Sequence, residues 1–172
     1  MATLTEQQKR DFITQDLYYE LRCLIGATTL WEAFKAQRKG FDVVVAMDSA
    51  FVHIRCLYKF FTQQQSSHDI SITEFGTGAY QSTLFSNWEE ALNRHVLHIS
   101  KGRASPTNTD GTTHLNEHVK DFANDIYKLW LKFESDPLAS TFAAELSEAR
   151  TKALQDAVND ASKHNVSPLF SL

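Results

Sequence analysis

Apolar residues recur at steps of three and four along most of this chain, and every long periodic segment has the helical period of 3.6. The first stripe is Leu17, Leu21, Leu24, Thr28 and Trp31, inside a helix predicted from about Thr5 to Lys39. Thr5 is placed to cap its start, with Gln8 at the reciprocal capping-box position. Gly40 is expected to end it in the left-handed conformation. Gly26 costs ~1 kcal/mol relative to alanine inside the run, which predicts a kink or a close helix crossing there.

The second predicted helix, Asp42 to Thr62, carries Val43, Met47, Ala50, Ile54, Leu57 and Phe61 in alternating steps, with Phe51 and Tyr58 on a flanking strip. Apolar on so much of its surface, it is expected to be central, and Arg55 within it then needs a buried partner. Gln63 to Tyr80 has no sustained period and reads as a loop with one short turn around Ile72 to Phe75. A third helix follows from about Gln81 to Lys101, then a Gly-, Pro- and Ser-rich loop from Gly102 to Thr113. The fourth helix spans about His114 to Glu134, with Val119, Phe122, Ile126, Leu129 and Phe133 on one face. Asp136 before Pro137 reads as a cap with proline at the first helical position. The fifth helix runs to about His164, its stripe being Leu138, Phe142, Leu146, Ala149, Ala153 and Val158. The expected fold is an all-α, up-and-down-like bundle of about five helices, a single domain over 1–165, followed by a tail, 166–172.

Composition narrows the function classes. The length, 172 residues, suits one domain with a substantial core, and twelve Phe imply that large rings fill it. A net charge of −4 argues against a general nucleic-acid coat, leaving Lys101 and Arg103 beside Arg94 as the place for a local basic patch. Two cysteines, Cys23 and Cys56, sit in apolar helical runs and are expected to be small buried hydrophobes, not a disulfide framework. The start of the chain is polar and no apolar run reaches the ~18 residues of a membrane span, so a cytoplasmic location and no membrane partner are expected.

Candidate chemistry concentrates in WEEALNRHVLHISKGR, Trp88 to Arg103. Laid out by helical angle, Phe85, Trp88, Leu92, Val96 and Ile99 share a core sector, with His95 at its edge. Asn87, Ala91, Arg94 and His98 form a ribbon to one side. Arg94 and His98, four apart, are neighbours on it. A guanidinium beside an imidazole can hold a phosphate and move a proton near neutral pH.

This pair, late in a helical chain, resembles the HEPN superfamily of all-helical domains. Many members of that superfamily are metal-independent RNases whose active site forms where two copies meet. The polar His95 after Arg94 fits the family pattern, whereas the family's interval from Arg to His is a residue or more longer than the one here. The resemblance implies Arg94 and His98 as catalytic residues, a homodimer, RNA or a nucleotide as partner, and no cofactor or metal. AFVHIRCLYKFF with NRHVLHISKGR also resembles a group of small bacterial all-helical proteins without an assigned activity. By that likeness His53, Arg55, Asn93, His98 and Arg103 are expected to converge between the second and third helices as a binding site.

Two other readings stand beside this one. Arg94 and His98 also suit a plain solvated helix face, which makes a non-catalytic protein-interaction bundle the alternative. His114 to His118 spells the inverted zinc-protease motif, and His95 or His98 with His114 and His118 could approach one another if the third and fourth helices pack together. No phosphate-cradling glycine loop and no nucleophile-elbow motif occurs.

Overall fold

A computed structural model describes residues 4–63, 69–97 and 115–167, leaving aside the side chains of 94–97. The capping box predicted from the first residues is present: Thr5 Oγ1 accepts the Gln8 amide at 3.2 Å, and Gln8 Oε1 accepts the Thr5 amide at 2.9 Å. It opens α1 (Glu6–Asp11), which buries nothing and passes through a π-helical stretch, Phe12–Leu17, into α2 (Tyr18–Ala36). Together they form the first long rod. Leu17, Leu21, Leu24, Thr28 and Trp31 are all buried along it, as their spacing predicts.

Two glycine expectations are corrected. A methyl group placed on Gly26 would meet no atom of a neighbouring element within 4 Å, so no helix crosses closely there. Gly40 does not end the first rod; it is the first residue of α3 (Gly40–Thr62). The left-handed residue is Arg38, at φ 56°. Its amide donates to Lys35 O at 3.2 Å, and the next amide, Lys39, donates to Phe34 O at 3.0 Å, the two bonds of a Schellman stop. Lys39 Nζ also lies 5.0 Å over the Phe34 ring, which fastens the reversal.

The chain after α3 forms a 3-10 turn at Ile72–Phe75, where the short turn is predicted, then α4 (Thr83–Leu97). The fourth rod starts as a 3-10 turn, Leu115–His118, and becomes α5 (Val119–Glu134). Asp136 Oδ1 accepts the Leu138 amide at 2.9 Å, so the predicted cap forms. It opens another 3-10 segment, Pro137–Phe142, before α6 (Ala143–Ser162). In that tighter segment Leu138 turns outward, 66% exposed, so it drops out of the predicted apolar stripe while Phe142, Leu146, Ala149 and Ala153 stay buried.

Cross-helix contacts give the direction of each rod. Phe61 meets Tyr80, Tyr58 stacks on Phe85 at 4.5 Å and Arg55 reaches Asn93, so α3 and α4 are antiparallel. Phe51 meets Phe122 and Phe61 meets Phe133, which makes α5 parallel to α3. Arg10 pairs with Glu145, Tyr18 with Asp156 and Arg22 with Asp160, so the first and last rods run the same way. That is the up-and-down order of an all-α bundle, and no strand occurs among the described residues. Phe60, Phe61, Phe75, Phe133 and Phe142 pack edge to face with centroids 5.0 to 6.1 Å apart, the ring-rich core that the phenylalanine content implies.

The inner face of α3 matches its predicted stripe: Ala50, Ile54, Leu57 and Phe61 are each 0% exposed. α3 packs against α2, α4 and α5, as a central helix should, but its outer face is less covered than its apolar composition predicts. Phe41 is 79% exposed, Val44 46%, Val45 51% and Val52 42%. No helix among the described residues is long and apolar enough to cross a membrane.

Candidate functional site

The antiparallel pairing of α3 with α4 brings two of the predicted site residues together. Arg55 Nε donates to Asn93 Oδ1 at 2.8 Å. Both side chains are half-buried, so Arg55 keeps solvent on one side and finds a neutral amide where a fully buried cation would need a carboxylate. His53 does not join them. Two residues on a helix differ by about 200°, so His53 faces α2 while Arg55 faces α4. His98 and Arg103 lie outside the described residues, as do the side chains of Arg94 and His95.

His53 is 9% exposed and enclosed by one face of α2. Its Nδ1 lies 2.8 Å from Glu20 Oε2, and the Tyr19 ring meets it edge-on with centroids 5.9 Å apart. Cys23, one turn after Glu20, is its other neighbour. Burial opposes the charged form of the imidazole, but hydrogen bonding to Cys23 and Glu20, reinforced by their charges, outweighs it and raises the His53 pKa to about 9. The imidazolium is therefore the resting form at neutral pH. Glu20 and Cys23 carry no motif in the sequence; what marks them is only that Tyr19, Glu20 and Cys23 share a face one turn long.

Neither cysteine is the buried hydrophobe expected; both are half-buried. Burial pushes the Cys56 thiol up, and the negative charge of Glu20 adds to it. Cys23 instead borders a cavity of about 700 Å³ between α2, the first half of α3 and the end of α6. Leu30, Phe34, Val45 and Ala46 supply its apolar lining, and Gly26 leaves one wall without a side chain. At its edge Arg22 donates to Asp160 Oδ2 at 2.7 Å, which keeps the guanidinium firmly charged.

Of the inverted zinc-protease motif, His114 lies outside the described residues, and His118 Nδ1 sits 2.9 Å from Asp121 Oδ2 with its ring against Trp88. Among the described residues no three His, Cys, Asp or Glu side chains are placed to hold a metal ion. No family model, curated protein or solved structure matches this chain.

Proposed function

We propose that the protein is a HEPN-like, RNA- or nucleotide-directed homodimer in which Arg94 and His98 act without metal and Arg55, Asn93 and Arg103 lie around them, while His53, turned toward α2, stands apart. The observation that carries this reading is the outer ribbon of α3. Phe41, Val44, Val45 and Val52 stand exposed along it, and Arg55 and Lys59 continue the same ribbon. Four large apolar side chains on one solvent-facing strip suit a self-complementary contact with a second copy. Because Arg55 holds Asn93, the residue before Arg94, such a contact would bring the basic ends of two α3–α4 pairs near each other. Guanidinium groups there would offset phosphate charge, and an imidazole would carry the proton of the attacking or leaving oxygen. The same strip also favours the second reading, a non-catalytic bundle that uses this face for association.

Sedimentation with single-stranded RNA in EDTA tests both. The expected result is a dimer that cleaves RNA, with cleavage lost in His98→Ala at an unchanged melting temperature and the dimer weakened in Val52→Glu. A dimer that neither binds nor cuts RNA at low salt supports the association-only reading. A monomer that neither binds nor cuts RNA at low salt removes the first reading and leaves association with a partner protein as the better account.

A further inference from the structure

We propose that the cavity between α2, α3 and α6 binds a small amphipathic anion, an alkyl carboxylate whose hydrocarbon chain lies along Gly26, Ala27 and Leu30 and whose head group meets Lys39. The site uses none of the catalytic residues of the RNA-directed reading. It shares only Phe41 and Val45, at its rim, with the outer strip of α3.

The shape comes from α2 and α3. The lining residues on α2 run from Tyr19 to Phe34, about 22 Å at the helical rise. The cavity volume of about 700 Å³ is typical of small-molecule sites, so the space is an elongated slot. Gly26 stands midway along it. Glycine is a poor helix former, and a methyl group placed there would meet nothing within 4 Å, so no packing neighbour requires it. Its effect is to keep one wall of the slot free of a side chain.

Between the two ends the walls are carbon, supplied by Ala27, Leu30, Phe34, Val45 and Ala46. The interruptions are the Cys23 thiol, the Ser49 hydroxyl and His164, whose ring stands edge-on to Phe34 with centroids 6.1 Å apart. The backbone groups of both helices are taken up by helical hydrogen bonds. A peptide laid in the slot would therefore find few partners for its own amides and carbonyls, whereas a hydrocarbon chain needs none.

Charge distinguishes the ends. At one, Arg22 donates to Asp160 Oδ2 at 2.7 Å and Lys163 Nζ lies 2.7 Å from Asp160 Oδ1, so those groups already satisfy one another. At the other, Lys39 Nζ lies 5.0 Å over the Phe34 ring, with no carboxylate in ion-pair reach among the described residues. Asp42 also lines this end, but it sits in the first turn of α3, where the positive end of the helix offsets its charge. An anionic head group is complementary to the Lys39 end, and its chain then runs down the slot toward Gly26.

The test is isothermal titration of the full chain with decanoate and with decan-1-ol, below the concentrations at which they aggregate, with methyl NMR shifts to locate the ligand. The expected result is one saturable equivalent of decanoate, with larger shifts at Leu30, Val45 and Ala46 than at Val44 and Val52. Gly26→Leu should weaken both ligands about tenfold or more, because the leucine takes the space of the chain. Lys39→Gln should weaken decanoate about threefold to fivefold, the worth of an exposed ion pair, and leave decan-1-ol unchanged. Circular dichroism checks that both variants keep the fold. Shifts confined to Val44 and Val52 would overturn the proposal, as would a folded Gly26→Leu with wild-type affinity or a Lys39→Gln that loses both ligands equally. Absence of saturable binding would also overturn it, and if Gly26→Leu then weakens a dimer, the cavity belongs to a second copy.

Discussion

His53 should make this protein lose stability as pH rises above neutrality, and Glu20→Gln should reduce that loss. An imidazole whose pKa rises from 6.5 to about 9 on folding binds its proton more tightly in the folded chain than in the unfolded one. The stability this supplies is fully present below pH 6.5 and disappears as pH passes through about 9. At ~1.4 kcal/mol per pH unit the difference corresponds to roughly 3.5 kcal/mol. Glu20 is 26% exposed and solvent screens part of its field, so about 2 kcal/mol is the working expectation. Urea denaturation at pH 6.0 and 9.5, with the imidazole titration followed by NMR, measures both quantities. Glu20→Gln should be destabilised by about 1.5–3 kcal/mol at pH 6.0, since a hydrogen bond to a charged group is lost, and by much less at pH 9.5. Cys56 contributes with the same sign, because burial keeps its thiol protonated in the folded chain while the unfolded one ionises. Placing Cys56→Ala in both backgrounds removes that contribution. Parallel loss of stability in wild type and Glu20→Gln across the window would refute the reasoning.

Arg38→Gly should stabilise the fold by about 0.5–1 kcal/mol, because the residue at φ 56° closes the α2–α3 reversal and glycine has no Cβ to strain there; a lower melting temperature would show that the side chain matters more than the backbone. Tyr58→Phe should cost about 1–3 kcal/mol, since the Tyr58 hydroxyl and Ser82 Oγ each donate to Asp125 Oδ2 at 2.7 Å and the change leaves that carboxylate one partner short. Leu57→Ala, at a position with 0% exposure, should cost about 2–5 kcal/mol in the same denaturation assay.

How much of this was legible before the structure follows from what helical periodicity encodes. A stripe at steps of three and four fixes the inward side of a rod, so Leu17 to Trp31, Ala50 to Phe61 and Val119 to Phe133 are buried as their spacing predicts. Local caps are legible for the same reason: Thr5 with Gln8, and Asp136 before Pro137, bond within a few residues. Periodicity does not say what the opposite side meets. The valines on the outer face of α3 have the same composition as core residues, and only the packing shows that they are left uncovered. Nor does it say which residue absorbs a reversal. Glycine is the default at a left-handed stop, yet the closing bonds from Arg38 and Lys39 back to Lys35 and Phe34 put Gly40 past it. The split of His53 from Arg55 was available from angle alone, since residues two apart on a helix face nearly opposite ways. The meeting of His53 with Glu20 and Cys23 was not, because it depends on the register in which α2 packs on α3.

That register gives α3 two polar contacts that share a backbone and no side chain. His53 reaches Glu20 on α2, and Arg55 reaches Asn93 on α4. If the two are independent, each can be altered without disturbing the other. Glu20→Gln and Asn93→Ala have no partner in common in the bonds His53 and Arg55 make. Their destabilisations should therefore add to within about 0.5 kcal/mol in the double variant, as for distant sites. A double-variant cycle by urea denaturation at pH 6.0 measures the remainder. A coupling above about 1 kcal/mol would mean that α3 shifts as a body when either contact is removed. In that case a loss of RNA cleavage in Asn93→Ala could not be assigned to the α4 contact by a single substitution, because the α2 contact of His53 would move with it.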